Sequence, residues 1–218
     1  MTAAAPLADG ATVVFVGDSI TDAGRTFFAA DVAAGELGSG FVRLVASLVG
    51  VRHPARGFRF LNAGVSGDRV GDLAARWRRD VLAPRPDLVS VLVGINDTWR
   101  RYDADDPTPV EVFAAGYAQL LDMVAEHTDA ALVLGEPFLL PVRPELDIWR
   151  EDLDPKIEVV RGLAAERDAV LVPFDERFRA ACDLAPPAHW APDGVHPSPA
   201  GHGLMALAWL DATAAAFG

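Results

Sequence analysis

The stretch TVVFVGDSI, residues 12–20, joins an apolar run of strand length to a Gly-Asp-Ser turn. Apolar runs of similar length recur along the chain, separated by segments with helical periodicity. This alternation is typical of β-α units around a parallel sheet. We therefore predict an α/β fold of three layers, with five parallel strands between two layers of helices. The strands are predicted at Thr12–Val16, Phe58–Leu61, Leu88–Val93, Ala131–Leu134 and Val170–Val172.

Six apolar residues between the third and fourth runs recur at steps of three, four and one, which places them on one helix face. They are Val110, Phe113, Tyr117, Leu120, Leu121 and Val124. Further helices are predicted at Gly40–Val49, Asp68–Leu82, Ile157–Arg167 and Pro199–Ala215. Trp77 and Trp209 are interpreted as core residues of these helices, and Arg76, Arg78 and Arg79 as a solvated helix face.

The stretch Glu136–Asp154 contains Pro137, Pro141 and Pro144 among charged and aromatic residues. We predict a long loop over one end of the sheet. Such a loop is either a lid that faces the substrate or a surface loop without a functional role.

Length and composition favour one globular domain over residues 1–218, with 51% hydrophobic and 23% charged residues. The single cysteine, Cys182, excludes an intramolecular disulfide and a cysteine metal cage. A net charge of −12 repels phosphate backbones and anionic lipid surfaces, so we expect neither nucleic-acid nor membrane partners. Lys156 is the only lysine.

The first ten residues lack the basic and apolar regions of a secretory signal, and no stretch of about 18 apolar residues occurs. These observations predict a cytoplasmic protein.

Polar segments follow the first three predicted strands, and a fourth lies near the C-terminus. They are residues 17–20 (GDSI), 62–67 (NAGVSG), 94–97 (GIND) and 193–197 (DGVHP). Each segment alone contains the residue types that are common in ordinary turns. Ligands of parallel sheets bind outside the carboxyl ends of the strands, so we expect these segments to meet there. Together they supply the parts that acyl transfer needs.

A serine hydroxyl needs a base to attack an ester at neutral pH, and His196 is the candidate base for Ser19. A bent loop would let Asp193 accept the imidazole Nδ1 proton while Nε2 faces the hydroxyl. The oxyanion donors would be the backbone N–H groups of Ser19 and Gly67 and the side-chain amide of Asn96. This route needs no cofactor and no metal.

The four segments are similar to the sequence blocks of a known enzyme family. The chain resembles the SGNH hydrolases, also called the GDSL esterase and lipase family, whose four blocks centre on Ser, Gly, Asn and His. Here the blocks read GDSITDAGR from Gly17, NAGVSGDRV from Asn62, VGINDTWRRYD from Val93 and DGVHPSPAGH from Asp193. The resemblance implies a flavodoxin-like SGNH fold, Ser19 as nucleophile, Gly67 and Asn96 as oxyanion donors, and Asp193 and His196 as orienting residue and base.

The longer strings are most similar to the single-domain acetylxylan esterases of that family. This resemblance implies a small acylated carbohydrate as substrate, short imported oligosaccharides if the protein is cytoplasmic, and a homo-oligomer. A short-chain carboxylesterase, a lysophospholipase and a sugar-binding module without turnover stay open as alternatives.

Four further residues are candidates for substrate contact: Asp18, Trp99, Arg100 and Trp190. The alternative roles are helix capping or loop bracing for Asp18, and core packing or a subunit contact for Trp99, Arg100 and the nearby Tyr102. Trp190 would either line the acyl pocket or anchor the loop before Asp193.

Two other kinds of site receive less support from the residues. Asp22 and Asp97 would have to pair with Asp18 as glycosidase carboxylates, which leaves the other blocks unexplained. His202 with His196 and Asp193 matches no common metal-binding spacing, so we expect a structural histidine there.

Overall fold

The computed structural model describes residues 6–26 and 37–217, and its five strands form one parallel sheet. They are β1 (Thr12–Gly17), β2 (Arg59–Gly64), β3 (Leu88–Leu92), β4 (Ala131–Gly135) and β5 (Val170–Val172), in the order β2-β1-β3-β4-β5. This is the flavodoxin-like order, whose connections diverge between β1 and β3. The predicted fold class is confirmed.

Helices connect and cover the strands. Their bounds are α1 (Ser19–Asp22), α2 (Phe41–Arg52), α3 (Val70–Trp77), α4 (Ile95–Asp103), α5 (Val110–His127), α6 (Arg150–Glu166), α7 (Phe174–Ala181), α8 (Pro187–Trp190) and α9 (Pro199–Ala212). A π turn over Arg78–Leu82 continues α3, and 3-10 turns cover Pro144–Trp149 and Ala214–Phe217.

Strand β1 shows how the layers form, because its side chains alternate between two hydrophobic clusters. Val13 and Phe15 belong to a cluster that includes α2 and α9, and Val14 and Val16 to one that includes α3 and α5. Parallel strands buried on both faces are apolar throughout, as this run is.

The two tryptophans predicted in the core are fully buried. The indole N–H of Trp209 also donates to Ser90 Oγ at 3.0 Å, which ties α9 to the middle of β3.

The predicted loop Glu136–Asp154 is wrong in its second half, because 3-10 turns begin at Pro144 and α6 begins at Arg150. Pro155 lies inside α6 and cannot donate to the carbonyl of Glu151. Both residues are exposed, so water can satisfy that carbonyl and the helix tolerates the proline.

Helices α4 and α7, which follow β3 and β5 closely, were not predicted from the sequence. Helix α4 is nine residues long, and its three apolar residues, Ile95, Trp99 and Tyr102, stand among six polar ones, so its periodic signal is short and weak. Gly94 precedes it at a φ of 131°, a conformation that favours glycine and turns the chain from β3 into the helix.

The only lysine is fully buried on α6, where its ammonium pairs with Asp152 and donates to Thr98 Oγ1 at 3.4 Å. Asp152 also accepts from Arg101 at 3.2 Å. This network joins α6 to α4. Over the described ranges, no helix combines the length and apolar character needed to cross a membrane.

Candidate active site

The carboxyl ends of three strands bring the predicted site segments together. Ser19 begins α1 just after β1, Gly67 lies in the loop after β2, and Asn96 lies in the first turn of α4 after β3. His196 lies in the loop before α9, and α9 packs against α2.

The hydroxyl, imidazole and carboxylate predicted to act together form a continuous hydrogen-bonded chain. Ser19 Oγ lies 2.9 Å from His196 Nε2, and His196 Nδ1 lies 2.6 Å from Asp193 Oδ2. Oδ1 of Asp193 accepts from the backbone N–H groups of Val195 at 2.9 Å and His196 at 2.7 Å. The carboxylate therefore both closes the loop and orients the ring within it.

These hydrogen bonds set the charge states of the pair. Burial by itself would raise the pKa of Asp193, but the hydrogen bonds from the His196 ring and the two backbone N–H groups lower that pKa to about 2. The hydrogen bond to Asp193 raises the pKa of His196 above its usual value of 6.5, against the effect of burial. The contact with Asp193 therefore stabilises the protonated, imidazolium form of His196.

The residues predicted as oxyanion donors follow the ends of β2 and β3, at the same edge of the sheet as Ser19. Gly67 is exposed and has a φ of 89°, so its conformation favours glycine. Asn96 is buried, and its Nδ2 donates to the carbonyl of Asp68 at 3.1 Å. One side-chain amide therefore holds the loop that carries Gly67.

Comparison with known proteins shows the family of the chain. The model of the GDSL-like Lipase/Acylhydrolase family matches residues 15–204. The chain belongs to this family. A curated relative, the acetylxylan esterase of Geobacillus stearothermophilus, is 38% identical over 207 residues, which is 94% of each protein. The chain is a carboxylic ester hydrolase.

Solved structures of the GDSL-like family superimpose closely on the chain. The acetylxylan esterase Axe2 of Geobacillus stearothermophilus has a TM-score of 0.86 at 35% identity, covering 94% of this chain and 95% of that one. A GDSL-like lipase of Parabacteroides merdae has a TM-score of 0.91 at 35% identity, covering 96% and 98%. Two further solved forms of Axe2 are described as catalytic mutants, one at a serine and one at an aspartate.

Asp18, which precedes the serine of this GDSL-like site, is fully buried. Its Oδ1 accepts from the backbone N–H of Ile20 at 3.0 Å and caps α1. Burial raises the pKa of Asp18 to about 7. This placement favours the capping role and argues against direct contact with a substrate.

The two carboxylates considered for glycosidase chemistry also bind backbone. Asp22 accepts from the N–H groups of Arg25 at 3.0 Å and Ser66 at 3.3 Å. Asp97 accepts from the N–H of Val70 at 3.2 Å, and burial raises its pKa to about 6. Both residues hold together the loops and helix starts around the site.

Trp99 flanks the candidate base. Its ring centroid lies 5.9 Å from that of His196 and 5.5 Å from that of Trp149. Tyr102 stacks on Trp149 at 5.3 Å, and the Arg100 guanidinium lies 5.6 Å from the Trp99 ring centroid. The half-buried rings of Trp99 and Tyr102 on α4 and the buried ring of Trp149 therefore form an aromatic row that begins beside the imidazole.

Trp190 makes the contacts of a loop anchor. Its indole N–H donates to the carbonyls of Ala181 at 3.0 Å and Ala185 at 3.3 Å, which fixes α8 to the end of α7. The carbonyl of Trp190 accepts from the N–H of Ser198 at 2.8 Å. The loop from Asp193 to His196 is closed at its base in this way. Substrate contact by Trp190 stays a prediction.

His202 caps a helix. Its Nδ1 accepts from the backbone N–H of Phe41 at 3.2 Å, at the start of α2, where Gly40 offers no side chain. Burial, with the nearby His196, lowers the pKa of His202 to about 4, so the ring is neutral and able to accept. Within the described part of the chain, no three His, Cys, Asp or Glu side chains are grouped to hold a metal.

Arg76 is not part of a solvated helix face, so the prediction was wrong for this residue. Its side chain is 10% exposed and pairs with Asp68 and Asp80. The Arg76–Asp80 spacing of four residues was the available signal, since such pairs meet on one helix face. Sequence periodicity alone does not say whether that face is buried.

Proposed function

We propose that the chain hydrolyses acetyl esters of carbohydrates, such as acetylated xylo-oligosaccharides, through an acyl-enzyme formed on Ser19. The observation that carries the proposal is the chain of contacts from Ser19 through His196 to Asp193, at 2.9 and 2.6 Å. The substrate class is supported by the acetylxylan esterase that is 38% identical to the chain.

In the first half-reaction, Ser19 Oγ attacks the ester carbonyl carbon while His196 Nε2 takes the hydroxyl proton. The tetrahedral intermediate collapses, the imidazolium returns that proton to the departing sugar oxygen, and the acetyl group stays on Ser19. Asp193 stabilises the imidazolium and fixes its tautomer, and itself stays ionised because its pKa is about 2.

The negative oxygen of that intermediate is stabilised by three donors: the N–H groups of Ser19 and Gly67 and the Nδ2 of Asn96. Such donors act on charge that develops only in the transition state. In the second half-reaction, water attacks the acetyl group with His196 as base, and the same three donors stabilise the second intermediate. Acetate and free Ser19 result.

The substrate alcohol would bind along the aromatic row that begins at Trp99. An indole face beside the base suits the apolar face of a sugar ring, and the Arg100 guanidinium can donate to sugar hydroxyls. We propose these two residues as sugar contacts. We also propose that the protein acts in the cytoplasm as a homo-oligomer.

The proposal is tested by comparing kcat/KM for acetyl, butyryl and octanoyl esters of one alcohol, together with acetylated xylo-oligosaccharides. A steep preference for acetyl on sugar is expected. A preference for longer chains would favour the carboxylesterase or lysophospholipase alternatives.

Labelling with a serine-directed sulfonyl fluoride separates an enzyme from a sugar-binding module. We expect covalent modification at Ser19 in the native chain and its loss in Ser19→Ala. Ser47→Ala, which changes an exposed serine of α2, is the matched control. A chain that binds sugars without labelling or turnover would contradict the proposed function.

A further inference from the structure

The guanidinium of Arg76 lies beneath the candidate active site and binds two strand ends and one loop. From α3, its Nη2 donates to the carbonyl of Gly17 at 3.1 Å and its Nη1 to the carbonyl of Ala63 at 2.6 Å. Its Nε donates to Asp68 Oδ2 at 2.7 Å, and Nη1 also donates to Asp80 at 3.1 Å. Four acceptors from four separate parts of the chain converge on one side chain.

Two of these acceptors, Gly17 and Asp68, lie within two residues of a candidate oxyanion donor in the sequence. Gly17 lies two residues before Ser19, and Asp68 directly follows Gly67. The carbonyl of Asp68 accepts from Asn96 Nδ2 at 3.1 Å. Arg76 and Asp68 together therefore connect all three donor-bearing segments.

The site requires an arginine for geometric reasons. A guanidinium presents five donors in a fixed planar fork, whereas a lysine ammonium presents three on a flexible stem. The side chains of Arg76, Asp68 and Asp80 are 10%, 13% and 4% exposed, so solvent offers little replacement for a lost contact. Asp80 accepts from Nη1 of the guanidinium, whereas Asp68 accepts from Nε.

We propose that Arg76 is a positioning residue that sets the spacing of the Ser19, Gly67 and Asn96 donors around the reacting carbonyl oxygen. Its four hydrogen bonds go to two backbone carbonyls and two carboxylates, and none of them goes to the imidazole. The proposal rests on the proposed function, because it assigns Arg76 a role in the same acyl-transfer site.

The expected effect is on kcat. Both half-reactions pass through a tetrahedral intermediate, so misplaced donors slow acylation and deacylation together and leave KM little changed. The midpoint of the pH profile should stay in place, because His196 keeps its contact with Asp193. A general loss of folded protein would instead lower the active fraction and change thermal stability.

The experiment measures kcat, KM and the pH profile of Arg76→Lys with 4-nitrophenyl acetate, well below the melting temperature of the variant. We expect kcat to fall about 10- to 100-fold, since a misplacement of about 1 Å can cost 10²-fold, with KM within about threefold of the wild-type value. Arg79→Lys is the matched control, because Arg79 also pairs with Asp80 but is 74% exposed and binds neither strand end. It should keep its activity within about twofold.

Asp68→Asn tests the same connection if Arg76→Lys does not fold. Asparagine keeps an acceptor oxygen but removes the ion pair, so we expect the same fall in kcat with KM and pH midpoint unchanged. Wild-type kcat in either folded variant, or a loss confined to KM, would overturn the positioning role. An inactive wild-type protein would overturn the proposed function instead.

Discussion

At the residue scale, the candidate site depends on side chains that are held by backbone contacts before any substrate binds. Asp193 accepts hydrogen bonds from two backbone N–H groups as well as from the imidazole, and Asn96 donates a hydrogen bond to a backbone carbonyl. The groups that would contact the reacting ester are therefore already oriented. Preorganised donors of this kind cost no reorganisation at the moment of reaction.

Replacing Asn96 by alanine should remove one oxyanion donor and the hydrogen bond to Asp68. We expect kcat to fall about 10²- to 10³-fold with a much smaller change in KM. Steady-state kinetics with an acetyl ester measures both constants. An effect on KM alone would mean that Asn96 contacts the bound substrate and does not stabilise the transition state further.

The pH dependence follows from the direction of the His196 shift. His196 must be neutral to take the serine proton, and its pKa lies above 6.5, so activity should rise with pH through a midpoint above that value. In Asp193→Asn the carboxylate that raises this pKa is gone, so the midpoint should move to lower pH. We also expect kcat to fall by about 10⁴, as for the corresponding change in a serine protease.

A pH profile of kcat/KM measures both effects of Asp193→Asn, and Asp211→Asn, at an exposed position of α9, is the control. An unchanged midpoint in the first variant would show that another group controls the profile.

At the element scale, the start of α4 depends on one glycine. Gly94 has a φ of 131°, and a Cβ there would lie 3.1 Å from Pro137 Cγ and 3.2 Å from Phe113 Cζ. We expect Gly94→Ala to lower the free energy of unfolding by about 1–3 kcal/mol. It should also lower kcat, because Asn96 lies two residues further on.

The matched control for that prediction is Gly162→Ala, in an exposed and open part of α6. Alanine is the better helix former there and should raise the free energy of unfolding by about 0.5–1 kcal/mol. Urea unfolding of both variants measures the difference. If the two variants had equal free energies of unfolding, the backbone at Gly94 would have adapted to the added Cβ atom.

The sequence was most informative where the signal is local. All five strands were predicted because each contains a short run of mostly apolar residues, although Arg59 and Ser90 interrupt two of these runs, and α5 was predicted because its apolar face repeats along the helix. Helix α4 was missed because its apolar residues are few, and the role of Arg76 was missed because it depends on contacts with other elements of the fold. Nothing near Arg76 in sequence indicates that its guanidinium meets the ends of β1 and β2.

At the scale of the whole molecule, the order of the strands explains how distant segments form one site. Ser19 and His196 are 177 positions apart, and they meet because β1 lies between β2 and β3 while α9 packs beside α2. Connections diverge at this point of the sheet and leave a crevice at the strand ends. The site is therefore a product of the complete fold, and no single β-α unit contains it.

The burial of Lys156 among Asp152 and Thr98 has a practical consequence for attaching this protein to surfaces. Reagents such as succinimidyl esters need an accessible primary amine, and this side chain is enclosed in the native protein. Mild conjugation should therefore leave Lys156 unmodified. Mass spectrometry of proteolytic peptides should detect a labelled Lys156 only when the protein has been unfolded in guanidinium before labelling.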